Sequence, residues 1–237
     1  MSNDGLAAAL QHLGHLAAAP SASERVADVL RRQIVDGAIR SGTRLTEETI
    51  SARIGFSRNT IREAFGVLVA ERLAVREPNR GVFVATPSRA DVTDLYATRQ
   101  LVEPAAVEYG PGCSPAAVAE LRAIVEQARE GRDGGHPEVV AEANQHFHLA
   151  LTRIGRSARA EQLMRGVLTE MRLVFHLMDD DARFHEPYLE RNARIVDLLE
   201  RGRRAEAAAT LREYLADAER QLLAAIDAGG GDGGRSS

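Results

Sequence analysis

Ile54-Gly55-Phe56-Ser57-Arg58-Asn59-Thr60-Ile61-Arg62-Glu63-Ala64-Phe65 holds a stop, a start and a two-faced helix within twelve residues. Gly55 ends the run before it, and Ser57 has the hydroxyl that accepts a free backbone N–H at a helix start. Ile61, Ala64, Phe65 and Leu68 then fall on one face, and Arg58, Asn59 and Arg62 on another. Just upstream, Thr46-Glu47-Glu48-Thr49 opens a short helix with acids in its first turn and Ile50 and Ile54 on its inner side. Two helices this close, joined by Gly55-Phe56, predict a helix-turn-helix.

Working outward, Ser23-Glu24 opens a run in which Val26, Val29, Leu30 and Ile34 keep helical spacing as far as Gly37. Downstream, Ala74-Val75-Arg76 and Val82-Phe83-Val84 read as short strands around the turn Glu77-Pro78-Asn79-Arg80-Gly81. Residues 23–86 therefore predict a winged helix-turn-helix domain. Pro87-Ser88 reads as a linker, and helical periodicity follows over about 89–109, 114–130, 137–155, 157–178, 184–201 and 204–226. The breaks fall at Gly110-Pro111-Gly112, Gly131 to Gly135, Gly155 and Gly202, with Pro187 at a kink. Six or seven helices on short connections make a bundle over 89–226. Residues 1–22 read as a flexible extension and 227–237, rich in Gly, as a disordered tail. The fold class is mainly α: a winged helix followed by an all-α bundle.

Composition agrees. At 237 residues the chain exceeds one average domain, and 4% aromatics without Trp favour helix packing over a β-rich fold. All 30 basic residues are Arg, a coding bias more than a chosen surface. The net charge of −4 is uneven: residues 21–87 hold eleven Arg against eight acids, net +3, which leaves −7 elsewhere. A polyanion meets the first part more willingly. The lone Cys113 excludes an intrachain disulfide and suits a reducing cytoplasm. Leu6 to Ala19 lacks the basic n-region of a signal peptide, and no run reaches the ~20 apolar residues of a membrane span. A soluble, cytoplasmic protein is expected.

A protein that reads DNA bases needs a helix held rigidly to the major groove, forked side chains at its N-terminal end and flanking phosphate donors. Residues 57–62 supply them. Arg58 and Arg62, four apart, can each bond guanine O6 and N7, while Ser57, Asn59 and Thr60 can reach phosphates or an adenine edge. Alone, the Arg pair could equally be a solvated helix face. Arg31-Arg32 and Arg76 read as solvated, or as phosphate contacts at most.

The stretches Gly37 to Glu47, Ile54 to Phe65 and Asn79 to Val84 together resemble the GntR-family winged helix at family spacing. The resemblance implies that Arg58 and Arg62 read bases, that Ser57, Asn59 and Thr60 hold phosphates, and that Arg80-Gly81 at the wing tip enters the minor groove. Arg44 joins these as a DNA-contact candidate. One position departs: relatives usually carry a basic residue where this chain has Glu48, which could accept from cytosine N4 or simply form an ion pair.

Leu95 to Ala106 and Asn144 to Leu151 are similar to helices of the FadR-like, or FCD, effector domain of the same family. The resemblance implies a dimer, an inverted-repeat operator and a small organic-acid effector, seized in many relatives beside a divalent metal on one carboxylate and three histidines. Those four positions fall here on Asn144, His148, Asn192 and Tyr214, so His148 is the only retained ligand. No bound metal or other cofactor is therefore expected. A metal-free pocket of Arg99, Asn144, His148, Asn192 and Tyr214 is one reading; a core histidine with interhelical hydrogen bonds is the other. Arg99 is the carboxylate partner of choice, because its planar fork matches that anion. Arg99 with Glu103, four apart, reads as a helix-face pair, and His146, His176 and His185 have no ligand spacing. No P-loop, nucleophile elbow or HExxH supports an enzyme. Two functions remain: a ligand-responsive regulator, or a constitutive dimeric DNA-binding protein with a ligand-free bundle.

Overall fold

The computed structural model describes residues 20–178 and 184–230. Most of the N-terminal extension (1–19), residues 179–183 and the tail from 231 on lie outside the described residues. The order is α1 (Ala22–Val35), β1 (Arg44–Leu45), α2 (Glu47–Ile54), α3 (Arg58–Ala70), β2 (Ala74–Glu77), β3 (Gly81–Val84), α4 (Arg89–Tyr109), α5 (Pro115–Asp133), α6 (Pro137–Arg153), α7 (Ala158–Phe175), α8 (Glu186–Glu200) and α9 (Arg204–Gly230).

The N-terminal unit is built as its sequence dictates. Ser21, two residues before the position expected, caps α1 in a reciprocal box with Glu24. Val26, Ala27, Leu30 and Ile34 of α1 meet Ile61, Ala64, Phe65 and Leu68 of α3 in a core closed by Leu45, Leu73, Val82 and Val84. Ile50 and Ile54 of α2 are only partly buried against it. Arg31, read as a solvated face, instead donates twice to Glu71 at 2.8 and 2.6 Å, tying α1 to the end of α3. The wing gains a strand: β1 pairs antiparallel with β3 (Arg44 opposite Phe83), and β3 pairs antiparallel with β2 (Val75 opposite Phe83), giving the order β1-β3-β2.

Among the described residues six helices form the C-terminal unit, with α5 on α6, α4 on α9, and α8 on both α9 and α5. Helix α5 runs through Gly131 to Asp133, Pro187 sits in the first turn of α8 rather than at a kink, and α9 continues to Gly230. Arg204 donates to the carbonyls of Val107 and Gly110 at 2.8 and 2.6 Å and so closes the C-terminal end of α4. The two units touch through the end of α7. Leu173, 1% exposed, belongs to the winged-helix core, and Arg172 Nε donates to Val35 O at 3.5 Å.

Candidate nucleic-acid interface and effector site

Helix α3 presents its first turn outward because its other face is spent in the core. Gly55 takes a left-handed φ of 73° to end α2, a backbone that favours glycine, and two residues later Ser57 starts α3 by accepting the Thr60 N–H at 3.1 Å. Ser57, Arg58, Asn59 and Arg62 are exposed and Thr60 half-buried. Asn59 donates to Glu63 at 2.9 Å. Each arginine faces an acid of α2. Arg62 donates through Nε and Nη2 to both Glu47 oxygens at 2.7 and 2.8 Å, and this holds the Glu47 carboxyl below the usual carboxylate range. Arg58 Nη2 stands 3.7 Å from Glu48 Oε1, too far for a hydrogen bond. At the wing tip, Arg80 pairs with Glu77 and lies 5.3 Å from the Phe83 ring centroid. The Arg44 side chain flanks Gly81, where a Cβ would stand 3.4 Å from its Nε. The structure thus gathers Arg44 with Gly81, and Arg58 with Arg62, on exposed surface.

Within the bundle, Arg99, Asn144, His148, Asn192 and Tyr214 come together, all under 9% exposed. Glu103 and His185 join them. Arg99 Nε donates to Glu103 Oε1 at 2.7 Å, and His148 Nδ1 donates to Glu103 Oε2 at 2.6 Å. Arg99 and Glu103 are therefore an interior ion pair, not a helix-face pair. The signal was present in the spacing, which places both in register with the buried Val92, Leu95, Tyr96, Ala106 and Val107 of α4. Asn144 Oδ1 accepts from Asn192 Nδ2 at 2.9 Å, and Asn144 Nδ2 donates to His185 Nδ1 at 3.2 Å.

Protonation follows from burial. Desolvation lowers the His148 pKa despite the Glu103 carboxylate beside it, and lowers that of His185 to about 3, so both rings are neutral near pH 7. With its proton on Nδ1, His148 turns the Nε2 lone pair toward Tyr214, whose hydroxyl lies 3.0 Å from Nε2 and 3.1 Å from Asn144 Oδ1. Its single hydrogen serves one acceptor at a time. The Arg99 and His148 contacts hold the Glu103 carboxyl low, against the pull of burial.

These residues do not fit a resident divalent ion. The four ligand positions offer one imidazole, two neutral amides and a phenol whose pKa burial raises, with no anionic oxygen. Among the described residues no group of three or more His, Cys, Asp or Glu is placed to hold a metal. The cavity beside Asn144, His185 and Asn192 measures about 10 Å³, room for one water at most. Two buried polar atoms of the cluster, Arg99 Nη2 and Asn192 Oδ1, have no hydrogen-bond partner among the described residues.

Residues 22–84 match the family described as "Bacterial regulatory proteins, gntR family", and residues 94–217 match the FCD domain. A solved structure described as a transcriptional regulator GntR from Rhodococcus sp. RHA1 is 45% identical, with a TM-score of 0.79 over 87% of this chain and 99% of that one. The "Gluconate operon transcriptional repressor" of Bacillus subtilis (strain 168) is 39% identical over 35% of this chain, a match spanning only 34% of that protein. The "Probable D-xylose utilization operon transcriptional repressor" of Paenarthrobacter nicotinovorans is 26% identical over 76% of this chain and 79% of its own length. Among the described residues no helix is long and apolar enough to cross a membrane. With a winged helix that exposes its arginines and an FCD bundle behind it, the chain belongs to the GntR family of bacterial DNA-binding transcriptional regulators and is not an enzyme.

Proposed function

We propose that this regulator binds an inverted-repeat operator as a dimer through Arg58, Arg62 and the wing, and that a small organic acid in the helical domain changes its operator affinity. The observation that carries the effector reading is the unfinished hydrogen bonding of the buried cluster. Most buried polar atoms find a partner, yet Arg99 keeps a buried nitrogen without an acceptor among the described residues, and Asn192 Oδ1 is equally unpaired. With Nε already on Glu103, the remaining Nη2 is free to donate to a second anion, and a ligand carboxylate fits it. Binding must open the cluster, since about 10 Å³ admits no metabolite. The last turn of α7 offers a route outward: Phe175 packs edge-on to His185 at 4.6 Å, and Leu173, two residues earlier, lies in the winged-helix core.

Thermal unfolding against a panel of small carboxylic acids tests this, with gluconate first because a relative's name carries that anion. A true effector at 100 times its Kd should add about 2.7 kcal/mol to the native state. The same acid should shift Arg99→Leu far less. The small cavity favours a second reading, a constitutive DNA-binding dimer whose bundle holds no ligand. That reading predicts no shift with any acid and operator affinity indifferent to all of them.

A further inference from the structure

We propose that Glu48 is a specificity-determining residue of the DNA interface, selecting cytosine at the base pair next to the guanine read by Arg58. The inference rests on the base-reading role of Arg58 proposed above. Two neighbouring acids of α2 face the reading helix and differ in one respect. Glu47 has both oxygens taken by Arg62 and is 28% exposed. Glu48 is 82% exposed and accepts no hydrogen bond among the described residues, its ion pair with Arg58 standing at a loose 3.7 Å. Glu47 is a clamp; Glu48 is only loosely paired with Arg58, its oxygens open to solvent beside the first turn of α3.

A free carboxylate beside DNA meets a polyanion, and it weakens binding to any site that gives it no donor. In the major groove the base donors are cytosine N4 and adenine N6. A carboxylate only accepts. It is repelled by guanine O6 and N7 and by thymine O4, and adenine places its N7 acceptor next to the amino group. Cytosine N4 has no acceptor on that edge and suits a carboxylate best. Glu48 and Arg58 stand side by side, so from one docking position they can address adjacent base pairs, which are ~3.4 Å apart along the duplex. Glu48 would sharpen selection in two ways, by favouring one neighbour and by penalising all others.

Selection from randomised duplex DNA with the full chain tests this, comparing wild type, Glu48→Ala and Glu48→Gln. Wild type should enrich a guanine with cytosine at the adjacent pair. Glu48→Ala should keep the guanine, lose the cytosine and bind scrambled DNA several-fold more tightly. Glu48→Gln should move the preference toward adenine, whose N6 and N7 a side-chain amide can engage together. Identical base frequencies in wild type and Glu48→Ala, with unchanged affinity for scrambled DNA, would overturn the proposal. A wild-type pool with no enriched sequence would remove the role of Arg58 first, and this one with it.

Discussion

Arg80 and Arg62 both have acid partners in the free protein, but only Arg62 is held by two parallel bonds and aimed from the start of a rigid helix. On the proposed reading, Arg80 at the wing tip adds positive charge to the interface without reading a base. Replacing it with Ala should weaken operator and scrambled DNA by similar factors and lower the salt slope by about 1, read from titrations at several salt concentrations. Buried His185 makes a second residue-scale prediction. Its folded pKa of about 3 lies below its ordinary value of 6.5, and that of His148 is lowered too. The unfolded chain therefore binds more protons below pH 6.5, so their contribution is complete above that pH and declines as pH falls toward 3. Denaturant titrations should show stability falling from pH 7 to pH 5, each histidine adding at most about 1.4 kcal/mol per pH unit. His185→Gln should flatten that slope, and a slope unchanged by the substitution would remove His185 as its source.

At the scale of elements, helix α3 and the wing were legible because period, cap and glycine agree there. Ser57, Ile61, Phe65 and Gly81 each make one local choice consistent with the whole. Strand β1 was not legible: two residues carry no period, and only pairing with Phe83 and Val82 makes Arg44 and Leu45 a strand. The buried cluster was half legible. Asn144 with His148, and Arg99 with Glu103, lie four apart on one helix each at a spacing that declares a common face, whereas His185 is brought in by packing. The contact of α7 with the winged helix was invisible, since Leu173 looks like any bundle leucine until the domains meet. Leu173→Ala should cost about 2–5 kcal/mol. Hydrogen exchange should show the loss in α1 and α3 rather than in α8 and α9. Faster exchange confined to the bundle would mean that Leu173 ties nothing to the DNA-binding unit.

For the whole molecule, the winged helix and the bundle that holds the buried polar cluster meet through the end of α7. A single reading helix gains useful specificity only when doubled on a two-fold operator, so sedimentation at micromolar concentration should give twice the 25.7 kDa chain mass. The neutral donor set predicts well below one equivalent of zinc, nickel or manganese per chain by elemental analysis, and little stability lost to a chelator. The most direct test of base reading by α3 is a binding titration of wild type and Arg58→Ala on a selected operator and on scrambled DNA. If Arg58 reads a guanine, the substitution should cost about 1–3 kcal/mol per half-site on the operator and much less on scrambled DNA. Loss by the same factor on both would contradict it and leave Arg58 a phosphate contact.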